Sequence, residues 1–484
     1  MGAWRTRSGD ENVARHGRWL VASAVFGLAI IAAPVVFRGG LLADEYVICM
    51  RPIHDGGYGA YLQAIWQDTG IVRPARFLEL VLISKICTTV PFGFAIIVPF
   101  ALKLGSAFLL YALLRDLELR APWPAIGAVI WLLEPVGTEA ALWPAALHVL
   151  LGLALALAAV RLLRRRALVW GGIAAAAAAL SVEQVIFAIP LAVWVLTPPE
   201  LRRRATAVAG VAVGVVLVAY ATWPGSNVRQ AVSLADRLAN VMAQPEWYVF
   251  FPATGLGLYS GAIAFLWALP WSIAAVALGT FLGASSAPSL LAGSRPQVRG
   301  PGSLRRGLIV TGALVVLVNL PLIVTEVGYS ARTFTPTWLV LSAAAAILGA
   351  RVVWRRVRLV GALAGTFAAL ALLSLALSAS VRVRTDRFDE AAARWIAERT
   401  ENGDVVAVCD VGRTVVEPAP LGSFHLHALH DSSGDWIEYH TGRIVEVRRS
   451  GERYWGSRCP DLTGADLVID FPDLVQAVDQ SLDE

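Results

Sequence analysis

Charge is scarce in this chain: Asp, Glu, Lys and Arg together make up 16% of its 484 residues, against 57% that are hydrophobic. So little charge excludes an ordinary soluble protein, in which about a quarter of the residues are charged, and the apolar residues fall in runs of membrane-spanning length. Lysine is scarcer still. Lys85 and Lys103 are the only two, so the basic balance rests on arginine. Those arginines gather in short segments between apolar runs, which is how membrane topology is set and gives no reason to invoke nucleic acid. The four cysteines show neither a CxxC pair nor a zinc-ligand spacing. Cys409 and Cys459 share a polar C-terminal segment, where they are either a disulfide, given an oxidising compartment, or two separate thiols. A repeat of fixed period and a Gly-rich phosphate loop are both missing.

What is present is a series of apolar segments, at about 18–37, 94–114, 122–138, 142–161, 167–181, 184–197, 205–223, 257–283, 307–324, 337–350 and 359–380. They predict an all-α polytopic membrane protein with about eleven transmembrane helices. The first, RWLVASAVFGLAIIAAPVVF, is longer than a signal-peptide core and has no clean cleavage site after it, so it reads as a retained anchor. Arginine clusters at Arg5/Arg7/Arg15/Arg18, Arg115/Arg120, Arg161/Arg164/Arg165/Arg166, Arg202/Arg203/Arg204, Arg295/Arg299/Arg305/Arg306 and Arg351/Arg355/Arg356/Arg358 occupy every second connection. The positive-inside rule then puts the N-terminus in the cytoplasm and the C-terminus outside. Two outward connections are long, 38–93 and 224–256. The first carries RPARFLELVLISKICTTVPFGF, read as an interfacial or re-entrant helix because a further crossing would break the alternation of the arginine clusters.

Beyond residue 380 the composition turns polar, which divides the chain into a transmembrane domain, 1–380, and a small extracytoplasmic α/β domain, 381–484. FDEAAARWIAERT has helical spacing, whereas DVVAVCDV and DLVIDF read as short buried strands. The run FHLHALH places His425 and His427 on one strand face without an acid-rich partner motif, and no metal ligand is assigned there.

Acids collect at the outer ends. Asp44 and Glu45 follow the first apolar run; Glu134, Glu139 and His148 lie in EPVGTEAALWPAALHVL, and Glu183 and Gln184 in SVEQVIF. Asp44 and Glu45 are either a hydrated rim or a reactive centre, because a carboxylate at membrane depth is costly unless it faces protein or water. Arg332 sits in an outer connection, GYSARTFTPTWL, while Asp55 occupies the Gly-rich turn HDGGYG, and Lys103 interrupts an apolar run, where it must snorkel or pair inward. Such a collection suits transfer of a group from a membrane-bound phosphate to a hydroxyl. Asp44 or Glu45 is the candidate general base, worth roughly 10²–10⁴ in rate, and Arg332, with Arg73 or Arg76, the clamp for the leaving phosphate.

The ordered set of features resembles the GT-C superfamily of integral-membrane glycosyltransferases. The acidic pair Asp44-Glu45 follows the first helix. VRPARFLELVL leads into PFGFAIIVPFALKLGSAFLLYALLRDL as an RP-containing interfacial helix leads into that family's Pro-Phe-Gly start, and EPVGTEAALW is similar to its His-Pro-x-x-Thr-Glu-Ala-x-x-Trp segment. SVEQVIFAIPLAVWVL is similar to its Lys-Glu-containing turn. The resemblance covers about residues 18–350. It departs at Glu134-Pro135 in place of His-Pro, at Val182 in place of the lysine, and at Arg332-Thr333 in place of Arg-Tyr, with Tyr329 upstream. The resemblance implies transfer of a sugar, with inversion, from a polyprenyl-phosphate lipid to an extracytoplasmic glycan, lipid or protein acceptor at the plasma membrane. Asp44 and Glu45 would be catalytic; Arg332, Arg73, Arg76 and Lys103 would hold the donor phosphate; and Asp55, Glu139, His148, Glu183 and Tyr329 would line the substrate pocket. It implies no certain cofactor and leaves a divalent metal open. Two other readings stand beside the enzyme: a transporter or flippase for a lipid-linked sugar, and a catalytically silent scaffold of the same shape.

Overall fold

The computed structural model describes residues 3–38, 44–68, 74–133, 144, 147–222, 269–291, 301–324, 331–351, 357–409, 434–449, 459, 462–470, 473–474, 476–478 and 480. The chain begins with α1 (Ala3–Arg38) and then makes three shorter helices, α2 (Asp44–His54), α3 (Tyr58–Asp68) and α4 (Pro74–Thr89). A 3₁₀ turn over Phe92–Ile96 leads into α5 (Ile97–Asp116). There follow α6 (Trp123–Leu132), α7 (Leu147–Arg164), α8 (Leu168–Ser181), α9 (Ala188–Leu196), α10 (Pro199–Thr222), α11 (Leu269–Leu291), α12 (Pro301–Val324), α13 (Ala331–Gly349) and α14 (Val357–Ala397). Among the described residues, four helices are long and apolar enough to cross a membrane: Gly17–Phe37, Phe92–Asp116, Leu147–Arg164 and Pro199–Tyr220. Apolar stretches in α6, α8, α11, α13 and α14 are shorter than that. The helical membrane character expected from the apolar runs is therefore present in four helices among the described residues. Residues 224–256 lie outside the described residues.

Ion pairs bring three arginine clusters to one end of the bundle. Asp116, closing α5, accepts from Arg161 Nε at 2.9 Å and from Arg165 at 2.9 and 2.7 Å. Arg164 caps the backbone carbonyls of Asp116 and of Leu196 at the end of α9, next to the Arg202 cluster that opens α10. Carbonyls at helix C-termini have no intrahelical partner, so guanidinium groups are suited to this position. The start of α7, at Leu147, consequently lies about 26 Å away at the other end.

Two close approaches depend on glycine. Gly279 and Gly283 of α11 face Gly361 and Gly365 of α14, and a Cβ at any of the four would strike backbone of the opposite helix. Each pair is spaced as in GxxxG, which lets membrane helices pack backbone to backbone. Thr280 and Thr366 hydroxyls meet at 2.7 Å beside this seam. Gly93, in the 3₁₀ turn, abuts the carbonyls of Val35 and Val36 near the end of α1.

The C-terminal part holds a three-stranded parallel sheet, β1 (Val405–Cys409), β2 (Glu446–Arg449) and β3 (Leu467–Asp470), ordered β2-β1-β3 with Val406 opposite Val447 and Leu467. Helix α15 (Asp435–Thr441) lies between β1 and β2 in the chain. Both strands expected from sequence are present, and so is the helix over 388–397. That helix is the last part of α14, so the composition change at residue 380 falls inside one continuous helix.

Among the described residues, the tail shares its core with the helices that follow α1. Phe388, Ala392 and Ile396 of α14, Val406 and Val408 of β1, and Trp436 and Ile437 of α15 form a single apolar cluster with Tyr46, Cys49, Tyr61, Leu80 and Ile83 of α2–α4. The helices between α1 and α5 and the tail are thus one packed body. Two disulfides lie within it, Cys409–Cys459 and Cys49–Cys87, the latter joining α2 to α4 at a Cα separation of 5.8 Å. Of the two readings open for Cys409 and Cys459, the structure shows the disulfide; sequence gave no sign of the other pairing.

Candidate functional site

Helix α4 buries Ala75, Glu79, Leu80 and Ile83 and exposes Leu78, a stripe at helical spacing that carries one carboxylate into an apolar interior. Glu79 is fully enclosed, at 0% exposure. A buried carboxylate is tolerated only when its charge is matched and its lone pairs are used, and here both conditions hold. Arg76, one turn earlier, forms an ion pair with Glu79 Oε1. Oε2 accepts from the backbone N–H of His148 at 2.8 Å and faces its Nδ1 at 2.7 Å. An ionised carboxylate can only accept, so Nδ1 is the donor in this contact. His148 and Arg76 are each a quarter exposed. The cluster therefore presents a guanidinium and an imidazole, each partly exposed, at the end of α7 remote from its arginines.

The remaining expected site residues distribute as follows. Glu45 is fully enclosed in the first turn of α2, which removes the hydrated-rim reading for that residue. Asp44 begins the same helix, with its side chain outside the described residues. Arg332 is in the first turn of α13, its side chain likewise outside them. Arg73, Glu134, Glu139 and Tyr329 are outside the described residues altogether. Lys103 turns inward, as one of its two sequence alternatives required: its Nζ stands 3.4 Å from the centroid of the Trp131 ring, and Trp131 in turn donates to Ser106 Oγ at 2.7 Å. Asp55 pairs with Arg51 at 3.4 Å in the turn after α2, the ordinary role of an acid in a Gly-rich turn. Glu183, half-buried, opens a 3₁₀ turn over Glu183–Val185.

The structure thus joins two expected residues, Arg76 and His148, through one that sequence reasoning passed over. Glu79 was legible in part: an acid at i+3 from an arginine on an otherwise apolar helix face must find a partner if that face is buried. Its partner, 69 residues away, was not.

A second polar cluster lies where α2 meets the tail. Tyr46, fully buried, has its hydroxyl 3.0 Å from His440 Nε2 and 3.4 Å from Asp389 Oδ2. Burial lowers the His440 pKa to about 4, with Arg394 adding to the effect and Glu390 opposing it, so this imidazole is neutral at pH 7. Burial also raises the Tyr61 pKa, which keeps its hydroxyl protonated as it donates to Leu80 O at 3.2 Å.

Comparison with family models, with curated proteins and with solved structures gives no match.

Proposed function

We propose that the protein is a plasma-membrane glycosyltransferase of the GT-C kind, moving a sugar from a polyprenyl-phosphate carrier to a hydroxyl on an extracytoplasmic glycan, lipid or protein. The observation that carries this reading is the Glu79 cluster: an enclosed carboxylate that holds Arg76 and His148 at the bundle end opposite the arginine-rich one. A guanidinium and an imidazole held side by side can both donate to a phosphate that gathers charge as it leaves. The two disulfides in the adjoining body support an oxidising, extracytoplasmic location for that end.

In the proposed reaction Asp44, aided by Glu45, accepts the proton of the acceptor hydroxyl as the hydroxyl oxygen bonds to the anomeric carbon. The bond from that carbon to the phosphate oxygen breaks, and its electron pair leaves with the polyprenyl phosphate, inverting the centre. Arg332 and Arg73 are assigned to the phosphate. Arg76 adds a charge whose position is set by Glu79, and Lys103, stacked on Trp131, keeps a cation within the outer half of α5.

The test is Asp44→Asn in membranes supplied with labelled polyprenyl-phosphate sugar. Transfer should fall by roughly 10²–10⁴, and transfer at the wild-type rate would remove the assignment. Movement of the lipid-linked sugar across vesicles without product would mark a transporter, and no donor turnover at all a scaffold.

A further inference from the structure

His54, the last residue of α2, stands against Asp435 and Glu438 of α15. Its Nε2 lies 2.8 Å from Glu438 Oε2 and its Nδ1 lies 3.6 Å from Asp435 Oδ1. One donor atom from each of the three falls within 4.8 Å of the others. Donors at about 2.1 Å from a tetrahedral ion are themselves roughly 3.4 Å apart, so little movement separates this arrangement from a coordination shell. The frame is rigid. Asp435 and Glu438 are three residues apart on one helical face, Trp436 and Ile437 between them are fully buried, and Gly434, at φ 104°, seats the helix start against the Val445 carbonyl. On the other side, the Cys49–Cys87 disulfide fixes α2.

We infer that His54, Asp435 and Glu438 bind a first-row divalent cation, such as zinc, cobalt or manganese, that fastens the tail to the helices following α1. Two carboxylates neutralise the ion's charge. The single imidazole favours these metals over calcium or magnesium, which take oxygen donors. The carboxylate side chains are 9% and 13% exposed and the His54 side chain 44%, so water completes the shell from the open side. His54 is ten residues beyond Asp44, about 15 Å along the helix, so the ion lies away from the proposed base. The inference is independent of sugar transfer.

The experiment uses full-length protein in detergent, stripped by a chelator and titrated with Co²⁺, read by visible absorption and equilibrium dialysis. The expected result is one tight equivalent, displaced by Zn²⁺, with affinity at least tenfold weaker in both His54→Gln and Glu438→Gln. The inference is overturned if the wild-type protein binds no cobalt, the contact then being a hydrogen-bonded clamp of His54 between two acids. It is equally overturned if either variant keeps the wild-type affinity.

Discussion

Glu79→Gln is the substitution that presses hardest on the site. It preserves the volume and outline of the side chain but removes the charge and one of two acceptor oxygens. In the native arrangement Oε2 takes the backbone N–H and ring Nδ1 of His148 at 2.8 and 2.7 Å, while Oε1 takes Arg76. A single amide oxygen can serve either the two groups of His148 or Arg76 but not both, and the new NH₂ group must then face a donor. At least one charge-assisted hydrogen bond is lost, worth about 1.5–3 kcal/mol, and Arg76 keeps a charge without its counterion. Removing one partner of a fully buried pair costs about 3–5 kcal/mol. Because Arg76 and His148 are each a quarter exposed and can recover some hydration, the expected destabilisation is about 2–4 kcal/mol, or roughly 10²-fold in the unfolding equilibrium at its centre. Denaturant unfolding in mild detergent, followed by tryptophan fluorescence, measures it. Pairing Glu79→Gln with His148→Gln in a double-mutant cycle should give an interaction energy of about 1–2 kcal/mol. A loss within about 0.5 kcal/mol of the wild-type stability, the range of ordinary surface changes, would refute the reasoning, and so would strict additivity in the cycle.

Two other outcomes follow from the fold. His440 has a folded-state pKa of about 4 against an ordinary 6.5, so between those values the unfolded chain binds more protons; stability is complete above about pH 6.5 and declines as pH falls toward 4. Linkage gives a loss of about 2 kcal/mol at pH 5 relative to pH 7.5, read by unfolding at the two pH values, and His440→Gln should flatten that difference; an unchanged pH profile in the variant would sink the assignment. Gly283→Leu places a branched side chain against the Gly361 backbone, and because overpacking costs about 1–3 kcal/mol even where neighbours can shift, heating should separate α11 from α14 at a lower temperature than in the wild type, whereas Gly312→Leu, at a position facing open space, should not.

Sequence periodicity located most of the helices because apolar runs and arginine clusters are local signals. DVVAVCDV and DLVIDF announced β1 and β3 in the same way, by short β-branched runs. Strand β2 carried a weaker alternation, Val445 and Val447 inward with Glu446 between them and Arg448 after, and went unseen. Val182, in an extended conformation, separates α8 from the turn before α9, where the apolar runs 167–181 and 184–197 part. At the site, charge and position drew attention to Arg76 and His148, but Glu79 gained its meaning only when α4 was laid against α7. The joint core of α2–α4 with the tail was illegible for the same reason: Tyr46 and Phe388 are some 340 residues apart, and no local pattern in either predicts the other. Cys49 and Cys87 belong to that core, which is why a search confined to the polar tail found one disulfide and not both.

Helix α14 runs unbroken for 41 residues, about 60 Å, twice the thickness of a bilayer's hydrocarbon layer. Its first half is clamped against α11 by the glycine seam, and its last turns are embedded among the strands. No hinge separates the two regions. Any swing of the strand-bearing region must therefore tilt the whole rod, with the seam as its fulcrum, and whatever docks on the strands is mechanically registered at α11.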